Sequence, residues 1–547
     1  MSSFADHVAD VLLALQFFAW ENWLFLVVVA IAVAIRWRIP KLKFEVRDGI
    51  AITIVMLVAF ASCVGAAALH GIAVPEYHDD YTNLLAADMI AHGHLSYPTH
   101  PMSVFFETLH VLQSPRYASP YPPAQAMMFA LGIVLFHLAL AGAWISVVLA
   151  AAAIWWALRV WTSPSLALLG GILVSIHPTM LGWGETYHGA PIAAAAGAIM
   201  LAAAGRLIDE PTRLNFALIC FAAVTLAFSR PYEGLVYTIG IALMVIIATR
   251  GRWRSVIATT PIGIAILIAG VLLVGAYNHA ITGNARVLPH SLYDARYVPA
   301  PNFLWQAPRS LPQYPNAEMA RVFRIAYFNH YNRLRGPGGW QREVGKKIQV
   351  IDSALFGNPA NRLANTAWLL NLVPLVALVP LLIENRRARW LLIVFLIFCF
   401  APFSIVWWMQ LHYLAPAAAL AATLMMLLIA RLAEMPRGGV LAIVVIAYFL
   451  INATTNWVRF ARSGQPGFEP QRQRIARTVL AHGGKHLIFV APDVYDSVYN
   501  AADIDQSPIV WAHDLGDDRD RALIAYFHDR HVWRLQHQGT TFVISSW

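Results

Sequence analysis

Charged residues are scarce in this chain. They make up 13% of its 547 residues while 59% are hydrophobic, whereas soluble domains run near a quarter charged. That balance excludes an ordinary soluble enzyme and a disordered chain alike. Cysteine is nearly absent. Cys63, Cys220 and Cys399 all fall inside apolar runs, which excludes a disulfide framework and a thiolate metal site and leaves them as small buried hydrophobes. Internal repeats are missing, and so are paired halves with Gly- or Pro-broken spans in matching positions, which speaks against a transporter. No basic segment precedes the first apolar run and no small-residue cleavage site follows it, so a cleaved signal peptide is not expected. The net charge of +9 does not point to nucleic acid, because Arg and Lys cluster at the ends of apolar runs, where membrane topology requires them.

Long apolar runs are abundant. The first, about 17–35, ends in Arg36, Arg38, Lys41, Lys43 and Arg47; these cations place that loop on the cytoplasmic side and the N-terminus outside. A second span covers about 49–70. Further spans are expected near 143–161, 166–182, 189–207, 214–229, 233–249, 255–277, 366–383, 390–409, 413–431 and 439–457. Arg206 with Arg213, Arg250 with Arg252 and Arg254, Arg386 with Arg387 and Arg389, and Arg431 with Arg437 then fall on one side. The expectation is an all-α polytopic membrane protein of about twelve spans, residues 1–457, with large outer segments at 71–141 and 278–365. Ala124 to His137 is apolar but too short to cross, so it is expected to lie in the interface or against the bundle. Residues 458–547 are charged for roughly a fifth of their length, the chemistry of a soluble domain. Strands at His486–Ala491, Pro508–Ala512 and Thr541–Ser545, with a helix at Asp520–Asp529, predict a small extracytoplasmic α/β domain. The aspartates of this segment match no Ca²⁺ loop, since the ordered ligand positions and the turn Gly are missing.

The strongest chemical signal is Pro75-Glu76-Tyr77-His78-Asp79-Asp80, just beyond the outer end of the second span. Adjacent carboxylates at a membrane edge repel one another and resist desolvation unless a cation, a donor hydroxyl or a moving proton uses them. The bland reading is that both acids cap the helix that follows, Tyr81 to Ala91, at its positive end. After it come His92-Gly93-His94-Leu95-Ser96-Tyr97-Pro98-Thr99-His100-Pro101 and then Tyr117-Ala118-Ser119-Pro120-Tyr121-Pro122-Pro123, which opens the short apolar helix.

This order resembles the first extracytoplasmic loop of the GT-C membrane glycosyltransferases. It is closest to the bacterial branch related to protein O-mannosyltransferases and the lipid A aminoarabinose transferase. In that group an acidic pair just after a span is followed by a Tyr- and Ala-containing helix and then a Pro-Pro helix; here the pair is Asp79-Asp80, followed by Leu84-Leu85-Ala86-Ala87-Asp88-Met89. The likeness extends over about 49–430 in architecture and about 71–125 in motif. It implies a polyprenyl-phosphate-linked sugar donor, an acceptor that is a lipid, a glycan or a protein, inversion at the anomeric carbon, and a multi-pass protein of the bacterial inner membrane working on its periplasmic side. It assigns the general base to Asp79, with Asp80 orienting it or holding its protonation state. A Lys or His often stands just before the Pro-Pro pair in that group; this chain has Pro120-Tyr121 there, which leaves more of the phosphate contact to other cations.

A cation is needed where phosphate leaves. Arg230, in Ser229-Arg230-Pro231-Tyr232-Glu233-Gly234, ends a span on the outer side, with Arg116, His100 and His412 as weaker candidates. An Arg at a span end also simply snorkels to water. In the outer linker Gly182-Trp183-Gly184-Glu185-Thr186-Tyr187-His188-Gly189, Glu185 and His188 face substrate in one reading, with Trp183 or Tyr187 stacking on a sugar; an interfacial aromatic belt is the other. No metal is required by the resemblance, although His78, Asp79, Asp80 and Glu185 offer a donor set for a divalent cation such as Mg²⁺ or Mn²⁺. The alternative function is a transporter or flippase for a lipid-linked or anionic substrate. It would place ionisable residues mid-span, whereas here they gather at span ends and in outer loops.

Overall fold

The computed structural model describes residues 46–356, 378–435, 438–463, 471–494, 497–538 and 541–547. The expected span 17–35 with Arg36, Arg38, Lys41 and Lys43, and most of the expected span 366–383, lie outside the described residues. Among the described residues, seven helices are long and apolar enough to cross a membrane: Asp48–Leu69, Ala139–Trp161, Pro191–Asp209, Pro231–Ala248, Thr260–Thr282, Arg386–Ser404 and Leu411–Glu434. Pro164–Ser175 and Pro178–Gly184, bent by 52° at their junction, make an eighth when taken together. Proline opens several of these helices at their first position, where its fixed φ suits the helix and its missing N–H costs nothing. The expected membrane character and helical class are both present.

Helix packing rests on small residues. Pro191–Asp209 is an Ala-rich helix at the centre of the bundle, and a Cβ added at its Gly197 would lie 1.9 Å from the carbonyl oxygen of Pro416. With little hydrophobic drive between helices in lipid, such close backbone approach supplies the van der Waals contact that holds them. Thr260–Thr282 is the opposite case: Val271 is 72% exposed and Leu272 67%, a face suited to lipid.

The two ends of the bundle carry different chemistry. At one end Arg387 pairs with Asp209 at 2.9 Å, Arg159 with Asp48 at 2.9 Å, and Arg431 with Glu384 at 2.6 Å. At the other end lie His188 before Pro191, Arg230 before Pro231, and His412 at the start of Leu411–Glu434. Pro191–Asp209 is 19 residues long, so at about 1.5 Å per residue these ends stand nearly 30 Å apart.

The first outer segment begins with the helix His78–Ala91 and continues through a short antiparallel ribbon, β1 (Tyr97–Pro98) with β2 (Arg116–Tyr117). It ends in the apolar helix Ala124–Phe136, too short to cross and packed against Ala139–Trp161, as expected. The C-terminal region forms a sheet of β3 (Lys485–Val490), β4 (Ile509–His513), β5 (Arg530–Gln538) and β6 (Thr541–Ser546) in the order β4-β3-β5-β6, parallel except for the last pair. Helices Gln471–Leu480 and Asp517–Tyr526 accompany it. Strand β5 and the helix Gln471–Leu480 were not anticipated, because both are polar and charged along most of their length. The sheet shares one hydrophobic core with the first outer segment: Tyr81, Leu85, Met89 and Phe105 pack with Leu487, Phe489, Tyr499 and Val510. Arg472 is clamped between the rings of Tyr81 and Trp511, at 5.0 and 4.4 Å.

Candidate active site

The acidic pair divides its work. Asp80 is the third residue of the helix His78–Ala91 and turns back on its start, so that Oδ2 accepts the backbone N–H of Glu76 at 3.0 Å and of Tyr77 at 3.3 Å. Oδ1 accepts the N–H of Tyr187 at 3.1 Å and lies 3.5 Å from Nε2 of His188. Asp80 is buried, with both oxygens committed. It fixes the start of the helix and ties it to the linker between two spans.

Asp79 is left for chemistry. It is half-buried, its Oδ1 accepts the Tyr121 hydroxyl proton, and Nε2 of His78 stands 3.7 Å away. Its Oδ2 accepts no hydrogen bond from the described residues. Burial pushes this carboxyl up, but the imidazoles of His78 and His110, the Tyr121 hydroxyl and His188 together outweigh it and hold the pKa at about 2. The group is therefore a carboxylate throughout the neutral range.

His110 completes this wall, although no local pattern singles it out from the other histidines of the segment. Its φ is +54°, a left-handed conformation that costs a non-glycine residue about 1–2 kcal/mol and persists only where packing enforces it. The ring stacks on His78 at 4.7 Å and on Tyr293 at 5.4 Å, and the backbone N–H of His110 donates to the Tyr293 hydroxyl at 2.7 Å. Both ring nitrogens are buried without a partner among the described residues. Burial and the charge of His78 pull the imidazole down to about 3, so it is neutral. Ligand atoms of His78, Asp79 and His110 all lie within 4.8 Å of one another. Two imidazoles and one carboxylate suit Zn²⁺, whereas the more oxygen-rich set expected from sequence suits Mg²⁺ or Mn²⁺. In that expected set Asp80 is committed to backbone donors, and Glu185 does not join the group among the described residues. A cation held there would supply Lewis-acid polarisation of an oxygen bound beside Asp79.

The facing wall comes from span ends. The Arg230 guanidinium lies 5.3 Å from the ring of Tyr413, and its Nε is buried with no partner among the described residues. His412 meets His188 edge-on at 5.2 Å. Tyr121, placed by the Pro122-Pro123 turn, stacks on His290 of the second outer segment at 6.0 Å, and its carbonyl accepts the Tyr277 hydroxyl at 2.8 Å. Asp79, Tyr121, His188, Arg230 and His412 are thus drawn to one end of the bundle.

Other expected residues serve elsewhere. Tyr187 is buried, donating through its hydroxyl to the Ala73 carbonyl at 2.8 Å and meeting Phe129 edge-on at 5.7 Å, so its ring is spent on packing. His100 bonds Asp505 at 3.0 Å and packs against Tyr526 and Phe527, at the junction with the C-terminal sheet. Arg116 donates through Nε to Ser96 Oγ at 2.6 Å on the β1–β2 ribbon. Neither contacts Asp79 in the described hydrogen bonds and ion pairs. Glu185 keeps Oε1 buried with no hydrogen-bond partner among the described residues, and burial pushes its carboxyl up to about 8.

No family model matches this chain, and no curated protein matches it. Among solved structures it is similar to the Archaeoglobus fulgidus oligosaccharyltransferase in the apo form, with 10% identity, 81% of this chain and 62% of that chain covered, and a TM-score of 0.48. It is also similar to the same enzyme in complex with Zn and sulfate, at 12% identity over 80% and 60% of the two chains and a TM-score of 0.46. ArnT from Cupriavidus metallidurans bound to undecaprenyl phosphate is similar at 12% identity over 88% of each chain, with a TM-score of 0.47. The chain spans about three fifths of the length of the archaeal enzyme.

Proposed function

We propose that this protein is a membrane glycosyltransferase that moves a sugar from a polyprenyl-phosphate carrier to an acceptor hydroxyl, inverting the anomeric centre, on the extracytoplasmic face of a bacterial inner membrane. One observation supports this above the rest. An ionised carboxylate, Asp79, whose Oδ2 accepts no hydrogen bond from the described residues, shares the end of the bundle with a guanidinium, Arg230, whose buried Nε has no partner among them. A carboxylate and an unpaired cation are what a displacement at a sugar-phosphate carbon needs, one for the nucleophile and one for the leaving group.

In this reading Arg230 binds the donor phosphate by charge-assisted hydrogen bonds. The acceptor hydroxyl donates to Oδ2 of Asp79 and attacks the anomeric carbon from the face opposite the phosphate. The bond from carbon to phosphate oxygen breaks, its electron pair stays on the phosphate, and the hydroxyl proton passes to Asp79. A carboxyl held near 2 takes a proton only late, once bonding to carbon has acidified the hydroxyl. Tyr121 holds Asp79 in place from Oδ1. An apolar cavity of about 110 Å³ in the helical layer is lined by Trp183, Leu411 and Leu414. Trp183 lies on Pro178–Gly184, just ahead of the linker that carries His188, and Leu411 and Leu414 lie on the helix that carries His412 and Tyr413, which supports this cavity as an apolar berth for part of the carrier's hydrocarbon.

The test is purification in mild detergent with mass spectrometry of the bound lipid, followed by sugar transfer in proteoliposomes. A copurifying polyprenyl phosphate and transfer of labelled sugar to an acceptor are expected. Unaided passage of the lipid-linked substrate across the bilayer, with no transfer, would replace this reading with the flippase.

A further inference from the structure

The proposed chemistry has a charge problem that Arg230 alone does not solve. While the sugar is attached, the carrier phosphate is a diester with one negative charge. When the bond to the sugar breaks, it becomes a monoester whose second ionisation lies near pH 6, so about one further negative charge appears during the step. A single guanidinium meets the first charge. The second calls for another cation or a proton at the same oxygens.

The second outer segment carries such a group. His290, second residue of the helix Pro289–Tyr297, stacks on the ring of Tyr121 with centroids 6.0 Å apart and planes 23° from parallel. Tyr121 is the residue bonded to Asp79, so His290 stands one ring away from the reacting carboxylate. Its Nδ1 lies 3.1 Å from Oδ2 of Asp294, one turn along the same helix. Asp294 is itself buried, and that same Oδ2 accepts from Nδ2 of Asn302 at 2.6 Å, while Asn302 accepts the Trp407 indole N–H at 2.9 Å. The dyad is therefore anchored in the segment's own packing. Nδ1 is committed to Asp294. Nε2 has no partner among the described residues, on a side chain that is 43% exposed. A carboxylate behind one imidazole nitrogen fixes the tautomer and favours the charged ring.

We propose that His290, oriented by Asp294, is a second phosphate ligand opposite Arg230, donating the proton of Nε2 to the phosphate oxygen as the bond to the sugar breaks. The inference rests on the glycosyltransferase reading and adds the leaving-group acid to it. The balance closes: the acceptor's proton goes to Asp79, the electron pair of the broken bond to the phosphate oxygen, and the proton of His290 to that oxygen. Exchange with solvent afterwards returns the proton from Asp79 and recharges His290. His290 is a catalytic residue in this scheme and Asp294 a positioning residue. The groups acting on His290 are Asp294 on its own helix, Asp79 from His78–Ala91, Arg230 ahead of Pro231, and His110 from the first outer segment. Burial pulls the imidazole down, but Asp294, by charge and by hydrogen bond, and Asp79 outweigh both burial and Arg230, so its pKa ends above the usual histidine value.

The experiment uses the full chain in lipid nanodiscs, with undecaprenyl phosphate as probe and undecaprenol, which lacks the phosphate, as control. His290→Gln is expected to weaken inhibition by undecaprenyl phosphate roughly tenfold and to cut kcat by at least as much. The KM for the diester donor should stay within about twofold, and undecaprenol should show no difference. The alkaline limb of kcat against pH, set by loss of the His290 proton, disappears in His290→Gln and moves to lower pH in Asp294→Asn. His290→Lys restores affinity for undecaprenyl phosphate, which separates a charge role from a packing role. If Asp79→Asn abolishes transfer but His290→Gln leaves kcat, inhibition and pH profile unchanged, the inference fails and the transferase reading stands. If the unaltered protein transfers no sugar, both fail.

Discussion

The backbone N–H of Tyr187 donates to Oδ1 of Asp80 at 3.1 Å, joining residues 107 apart in sequence. Through that bond the start of the helix His78–Ala91 is tied to the linker ahead of Pro191–Asp209, and the carboxylate beside it, Asp79, is held at the mouth of the bundle. Two neighbouring acids of one motif thus differ: Asp80 is committed to architecture, while Asp79 is the one proposed to act on substrate.

Asp80→Ala removes the acceptor of three backbone N–H groups at a buried helix start. Loss of a cap and stranding of buried donors are expected to destabilise the protein by about 2–4 kcal/mol, read as a lowered midpoint of thermal unfolding in detergent. Asp79→Asn keeps an oxygen for the Tyr121 hydroxyl and should move the midpoint far less. Equal losses in the two variants would contradict the division of roles.

Glu185 gives a pH-dependent prediction. Its folded pKa, about 8, lies above the ordinary value because burial disfavours the charge, so the folded state prefers it protonated. For an acid shifted upward, the folded state is penalised increasingly as pH rises above the unfolded value of about 4.3 until the group ionises near 8. Glu185→Gln mimics the protonated form. It should leave the unfolding midpoint unchanged at pH 4.5 and raise it at pH 8, and a variant indifferent to pH would show that Glu185 is solvated.

The C-terminal sheet and the first outer segment share a core, so damage in one should reach the other. Phe489 is fully buried against Phe105, and Phe489→Ala is expected to cost about 3–4 kcal/mol. Amide hydrogen exchange should quicken within 78–91 as well as in β3 and β4. Faster exchange confined to the sheet would mean the two regions unfold independently.

Much of this was legible beforehand for identifiable reasons. Apolar run length located the spans around Asp48–His70, Ala139–Trp161 and Pro231–Ala248 to within a few residues, because crossing a bilayer sets a minimum length. The same rule kept Ala124–Phe136 out of the list of spans. The acidic pair and Arg230 stood out because charges at a span end are costly without a use. His110 and His290 could not be picked out, since their places depend on a left-handed turn and on the docking of a second outer segment, neither of which has a local pattern. His100 and Arg116 were candidates because they share a membrane side with Asp79. Membrane side does not set distance, and the structure gives them to the C-terminal junction and the ribbon.

Sugar transfer from a polyprenyl-phosphate donor by Asp79→Asn in proteoliposomes is the most direct measurement. The unfolding midpoint and the amount of bound polyprenyl phosphate should match the unaltered protein, while the rate of transfer falls at least a thousandfold, roughly the contribution of a positioned base together with its charge. Transfer persisting at a comparable rate in that variant would show that the reaction proceeds without this carboxylate.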